Sequence, residues 1–121
     1  EMADKTFKVF SNEINKVPSG YTSMVTAFLF EYDHPKEIVV VGSGSDPATQ
    51  VALTRMKSEY IPGKILLFKD TDQLSPSLSP LAKWTATQET IGDKVTFYVC
   101  QDFACKIPTT DIKEALTFIH E

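Results

Sequence analysis

Lys36-Glu-Ile-Val-Val-Val-Gly-Ser-Gly-Ser-Asp-Pro47 and Lys64-Ile-Leu-Leu-Phe-Lys-Asp70, with Ala48–Tyr60 between them, decide the fold. Each flank holds an unbroken apolar run of four, Ile38–Val41 and Ile65–Phe68. A strand covered on both faces reads this way, whereas a half-exposed strand alternates apolar with polar residues. Between the runs, Ala48, Val51, Ala52 and Met56 recur at helical spacing, which predicts a crossover helix with one buried stripe. Strand, helix and strand in this order predict a right-handed βαβ unit.

Upstream, Ala3, Phe7, Phe10, Ile14 and Val17 step by four, three, four and three, the narrow seam of a helix over 4–16. Pro18-Ser19-Gly20 breaks it with turn residues. A second helix over 21–33 carries Met24, Val25, Phe28, Leu29 and Tyr32, widened by Ala27 and Phe30. Two helices joined by so short a break predict a helical hairpin. Asp33-His34-Pro35 ends it, because a residue before proline is pushed out of the α region.

Downstream, Thr71–Asp93 is the least regular stretch, with Ser75, Pro76, Ser79 and Pro80 clustered and a short helix expected near Leu81–Ala86 carrying Trp84 inward. Gly92-Asp93 turns the chain into a third strand, in which Val95, Phe97 and Val99 alternate with Thr96, Tyr98 and Cys100. The last helix, 112–120, is marked by Ile112, Ala115, Leu116 and Ile119, with Asp111 as N-cap and Glu114 completing a capping box. The expectation is a small, mainly parallel three-stranded α/β sheet with flanking helices over 36–121, preceded by an α-helical hairpin over 1–35.

The chain has 121 residues, 42% hydrophobic and 23% charged, and a net charge of −4. This is one domain's length and the composition of a globular protein. The acidic balance lacks the basic footprint that nucleic acid requires. The apolar runs fall far short of the roughly 20 residues a membrane span needs. Two cysteines are too few for a disulfide scaffold, which makes a reducing, cytoplasmic compartment the default expectation.

Two places invite chemistry. Gly42-Ser43-Gly44-Ser45 follows a strand and precedes a helix, as in a dinucleotide fingerprint, and Asp70 stands where a ribose-binding acid would be expected. Pro47 occupies the position of the third glycine, however, and serves better as the first helical residue after an Asp46 N-cap. The turn therefore reads as structural, with Gly42, Ser43, Gly44 and Ser45 as a weak anion site at most.

The second place is Tyr98-Val-Cys100-Gln-Asp-Phe-Ala-Cys105-Lys-Ile-Pro108-Thr-Thr110-Asp111. A structural zinc wants four soft ligands in closely spaced pairs, and only His34 and His120 are at hand to complete such a set. A redox couple usually has Cys-x-x-Cys at a helix N-terminus. Packing thiols, a redox pair and a metal site all stay open; the packing reading predicts two free thiols and no metal. No cofactor is expected.

The same string resembles the C-terminal end of the thioredoxin-domain-containing (spermatogenesis-associated protein-like) family. The matching residues are Tyr98, Val99, Cys100, Ala104, Cys105, Pro108, Thr110 and Asp111, with Tyr60-Ile61-Pro62 and Ile38–Gly42 agreeing upstream. The resemblance implies a parent with a thioredoxin-like domain and a central α/α toroid similar to N-acylglucosamine 2-epimerases and six-hairpin glycosidases. Residues 1–35 would then be the last hairpin of that toroid, and residues 36–121 an α/β appendage. The implied partner is the remainder of the parent chain, with self-association of the fragment through its apolar helices. The family's thioredoxin-type cysteine motif is absent here, so no catalytic residue transfers. The alternatives are a piece bordering the cleft of a carbohydrate-active enzyme, and a redox or nucleotide-binding module.

Overall fold

Strand β1, Lys36–Gly42, is the centre of a four-stranded sheet. The computed structural model describes residues 2–73, 82–102 and 104–121. It divides into two units, Glu1–His34 and Pro35–Glu121.

In the second unit the elements are β1, α3 (Pro47–Ser58), β2 (Ile65–Asp70), β3 (Thr96–Gln101), β4 (Ala104–Cys105) and α4 (Ile112–His120). The sheet order is β2-β1-β3-β4. The βαβ unit is present: β1 pairs with β2 in parallel, Ile38 opposite Leu66 and Val40 opposite Phe68. The mainly parallel three-stranded sheet is corrected, because β3 runs antiparallel to β1 and folds back into β4. One parallel pair in four strands makes the sheet mixed.

Ile38, Val39, Val40 and Val41 are all fully buried, as a central strand requires. Ile65–Phe68 has the same apolar pattern but is only half-buried along its length, because β2 is an edge strand. One sheet face holds Ile38, Val40, Phe97 and Val99 against Ala52, Leu53 and Met56 of α3 and Ala115 and Ile119 of α4. Each large side chain buried there contributes about 1.5–3 kcal/mol.

The buried stripe of α3 is Thr49, Ala52, Leu53 and Met56, one position round from the expected set. Ala48 and Val51 face outward, with Val51 69% exposed. The reason lies at Gly42, where an added Cβ would fall 2.6 Å from Thr49 Oγ1. A bare glycine lets the helix lean on the strand through Thr49. Asp46 caps α3 as expected, its carboxylate accepting from the Ala48 amide at 3.0 Å, with Pro47 as first helical residue.

The other sheet face carries the segment 82–91. Lys69 Nζ donates to the carbonyls of Thr85, Ala86 and Gln88 at 3.0, 3.1 and 2.6 Å. The Tyr98 hydroxyl donates to the Glu89 carbonyl at 2.8 Å and accepts from the Glu89 amide at 3.1 Å. A single 3-10 turn, Lys83–Thr85, stands where a short helix was expected, and Trp84 is half-buried. Ser75, Pro76, Ser79, Pro80 and Leu81 lie outside the described residues.

Helix α4 keeps its Asp111 cap, which accepts from the Lys113 amide at 2.8 Å. The capping box is altered, because Glu114 accepts from the Thr109 hydroxyl instead of from the cap residue's amide. That hydroxyl in turn accepts from the Asp111 amide at 3.0 Å. Thr109 therefore relays the second half of the box.

The first unit holds α1, Met2–Lys16, and α2, Thr22–Tyr32, joined by a 3-10 turn at Pro18–Tyr21. Phe7 meets Phe28 edge to face at 5.5 Å, and Phe28 stacks on Tyr32 at 6.1 Å. Phe7, Ile14, Met24, Val25 and Phe28 line a groove of about 300 Å³ between the helices. Phe28, Leu29 and Tyr32 remain 49%, 55% and 73% exposed. Two helices alone cannot enclose a core.

Candidate functional site

The glycine turn brings Gly42, Ser43, Gly44 and Ser45 together at the end of β1, with the Gly44 and Ser45 amides and the Ser43 hydroxyl already engaged. The Gly44 amide donates to Asp70 Oδ1 at 2.8 Å and the Ser45 amide to Asp72 Oδ2 at 2.9 Å. The Ser43 hydroxyl also donates to Asp72 Oδ2, at 2.8 Å. The Ser45 amide, followed by the Ser43 and Ser45 hydroxyls, holds the Asp72 carboxyl below the usual carboxylate range. Two carboxylates thus fill the positions an anion would take.

Gly44 is required by the same arrangement, since a Cβ there would fall 2.7 Å from Asp70 Oδ2. Asp70 is held by backbone amides, those of Gly44 and, at 3.0 Å, Asp72. Both glycines of the Gly-x-Gly pattern make room for groups of the chain itself, Thr49 and Asp70.

The cysteine stretch forms a hairpin. Asp102 has φ +52°, the left-handed conformation that tight hairpin turns use. Gln101 then faces Ala104, and Cys100 faces Cys105. Lys106 donates its amide to the Val99 carbonyl at 2.9 Å. The cysteine pair is therefore the next, non-hydrogen-bonded pair of the ladder, where opposed side chains come closest.

The expectation of two free thiols is overturned: Cys100 and Cys105 are joined in a disulfide, with Cα atoms 3.9 Å apart. The hairpin supplies the proximity that a bridge needs. Cys100 is 1% exposed, and Cys105 is exposed. His120 pairs with Glu59 at 3.4 Å, and no group of three or more metal-binding side chains occurs among the described residues.

Against the hairpin lies Gln88, which the sequence reading did not single out. It is 5% exposed, and its Nε2 lies 3.9 Å from Cys105 Sγ. Its Oε1 is buried with no hydrogen-bond partner among the described residues. The Lys69 anchor on segment 85–88 and the Tyr98 hydroxyl on Glu89 hold this side chain at the sulfur. A lone glutamine in a polar stretch carries no sequence signal of it.

The fold and site define a small mixed α/β unit whose glycine turn is closed by its own carboxylates and whose last hairpin is bridged. No family model matches the chain. The chain is similar to a segment of spermatogenesis-associated protein 20 from Homo sapiens, 32% identical over 111 residues, and from Rattus norvegicus, 30% over 112. The Mus musculus protein is 29% identical over 112 residues. These alignments cover 92–93% of this chain. The chain spans 14% of the length of the curated relatives it matches.

Proposed function

We propose that this chain is a non-catalytic α/β domain of a larger protein, and that α1 and α2 pack against the rest of that protein. The single observation that carries this is the exposed apolar surface of α2, Phe28, Leu29 and Tyr32, on a hairpin with no enclosed core. An apolar patch of this kind marks an interaction surface. The 14% share of the relatives' length is consistent with a domain of a longer chain. The finer reading, that the hairpin closes an α/α toroid, rests on the resemblance set out above.

The test is sedimentation of the 121-residue chain beside its Phe28→Asp/Leu29→Asp variant. The expected result is concentration-dependent self-association of the wild type that the variant abolishes. In the longer parent chain, hydrogen exchange should show α2 protected. A strict monomer at millimolar concentration, or α2 amides unprotected in the parent chain, overturns the reading.

A further inference from the structure

We propose that the outer edge of β2 is a docking edge, completed by a strand from the part of the larger protein that lies outside these 121 residues. This rests on reading the chain as a domain of a longer one, but it uses a different surface from the α1–α2 hairpin. The sheet order β2-β1-β3-β4 leaves β2 and β4 as the two edges, and they are built differently.

One hydrogen bond sets which backbone groups of β2 point outward. The Thr71 amide donates to the Gly42 carbonyl at 3.0 Å, and Gly42 is in register with Asp70. In a parallel ladder alternate residues turn both backbone groups to the same neighbour. Leu67 and Lys69 therefore face β1, while Leu66 and Phe68 face away from it. The bonds of β3 agree: Val39 is opposite Tyr98, and Phe97 and Val99 turn away from β1 to bond Thr109 and Lys106. The amides and carbonyls of Leu66 and Phe68 thus lie along the outer edge, with no hydrogen-bond partner among the described residues.

Proteins blunt sheet edges with very short strands, prolines, bulges or charges. The β4 edge is blunted, being only two residues long. β2 runs for six residues in unbroken register, with Ile65–Phe68 apolar and no proline. Its charges stand at the ends and are bound to the chain itself. Lys64 Nζ bonds the Met56 and Glu59 carbonyls, Lys69 Nζ bonds those of Thr85, Ala86 and Gln88, and Asp70 accepts from the Gly44 and Asp72 amides. Leu66 and Phe68 pack on the core yet stay half-buried, as do Ile65 and Leu67. The edge fits an extended segment with apolar residues at alternate positions, which would extend the row of Leu66 and Phe68. The matched relatives are long enough to supply one, since this chain spans 14% of their length.

The experiment is amide-resolved hydrogen exchange on the longer parent chain, with a photoreactive diazirine amino acid at position 67 to identify the neighbour. The outward amides of Leu66 and Phe68 are expected to exchange within about tenfold of the inward amides of Leu67 and Lys69, as in a strand paired on both sides. The cross-link is expected to join a segment outside residues 1–121. Outward amides more than about tenfold faster than the inward ones, cross-links confined to these residues, or cross-links to a second copy each overturn the proposal. The α2 amides, read in the same experiment, report the parent reading separately. Protected α2 with an open β2 edge sinks this proposal alone, and unprotected α2 with a paired edge sinks the hairpin reading alone.

Discussion

Gly44 and Asp70 fit each other as backbone to carboxylate: the Gly44 amide donates to Asp70 Oδ1 at 2.8 Å, and a Cβ on Gly44 would fall 2.7 Å from Asp70 Oδ2. The carboxylate has little room to retreat, because it also accepts from the Asp72 amide at 3.0 Å and from Gln73 Nε2 at 3.2 Å. Gly44→Ala is expected to destabilise the chain by about 1–3 kcal/mol, the usual cost of overpacking. Asp70→Ala removes the clash and the bonds together, so the double variant should cost less than the two changes summed. Urea titration of the four proteins checks both statements.

Asp72 makes the stability depend on pH. Its carboxyl is held below the usual range by the Ser45 amide first and the Ser43 and Ser45 hydroxyls next. A group with a folded pKa below its unfolded value stabilises above the unfolded value and loses that contribution as pH falls through the folded one. The contribution should be present at pH 6 and fade on the acid side of the ordinary carboxylate range. Asp72→Asn should abolish this component. Denaturation curves of both proteins at pH 6 and pH 3 check it, and an unchanged pH dependence in the variant would refute it.

Lys64 closes the C-terminus of α3, donating from Nζ to the carbonyls of Met56 and Glu59, both at 2.7 Å. These are carbonyls a helix end leaves without an internal partner, and a cation there also complements the helix dipole. Lys64→Met should cost about 1–2 kcal/mol. Thermal melts of the variant against wild type measure it.

Lys69 ties segment 82–91 to the sheet through three carbonyls. Lys69→Met leaves those carbonyls to find water, a loss of about 1.5–3 kcal/mol for a charge-assisted contact. Hydrogen exchange should quicken across residues 83–91 while β1 remains protected. Uniform exchange across both segments would show that the two are not separately held.

The disulfide closes a short loop, with the cysteines five positions apart. In the chain-entropy description, replacing both by serine should cost about 2 kcal/mol. Thiol titration of the unreduced protein in denaturant should find none; two reactive thiols would contradict the bridge.

Much of the site was hidden from the sequence for local reasons. Cys100 and Cys105 look like two unrelated thiols until Asp102 adopts its left-handed turn and puts them opposite each other. Gln88 and Lys69 are separated by 19 positions and meet only because β2 and segment 82–91 share a sheet face. Asp72 lies just past β2, and nothing in its neighbours announces that it would reach Ser43 and Ser45 across the turn.

What the sequence determined by itself was β1, the crossover helix and the parallel pair. Four consecutive apolar residues at Ile38–Val41 leave no face for water, and the Asp46-Pro47 pair states where a helix starts. Tertiary structure alone decided that β2 is an edge and that β3 runs antiparallel, because neither apolar content nor alternation carries direction. It also decided which side of α3 is buried, through the close approach of Thr49 to Gly42. The pairing of the two sulfurs belongs with these, since a disulfide requires a distance, and distance across a hairpin is set by register.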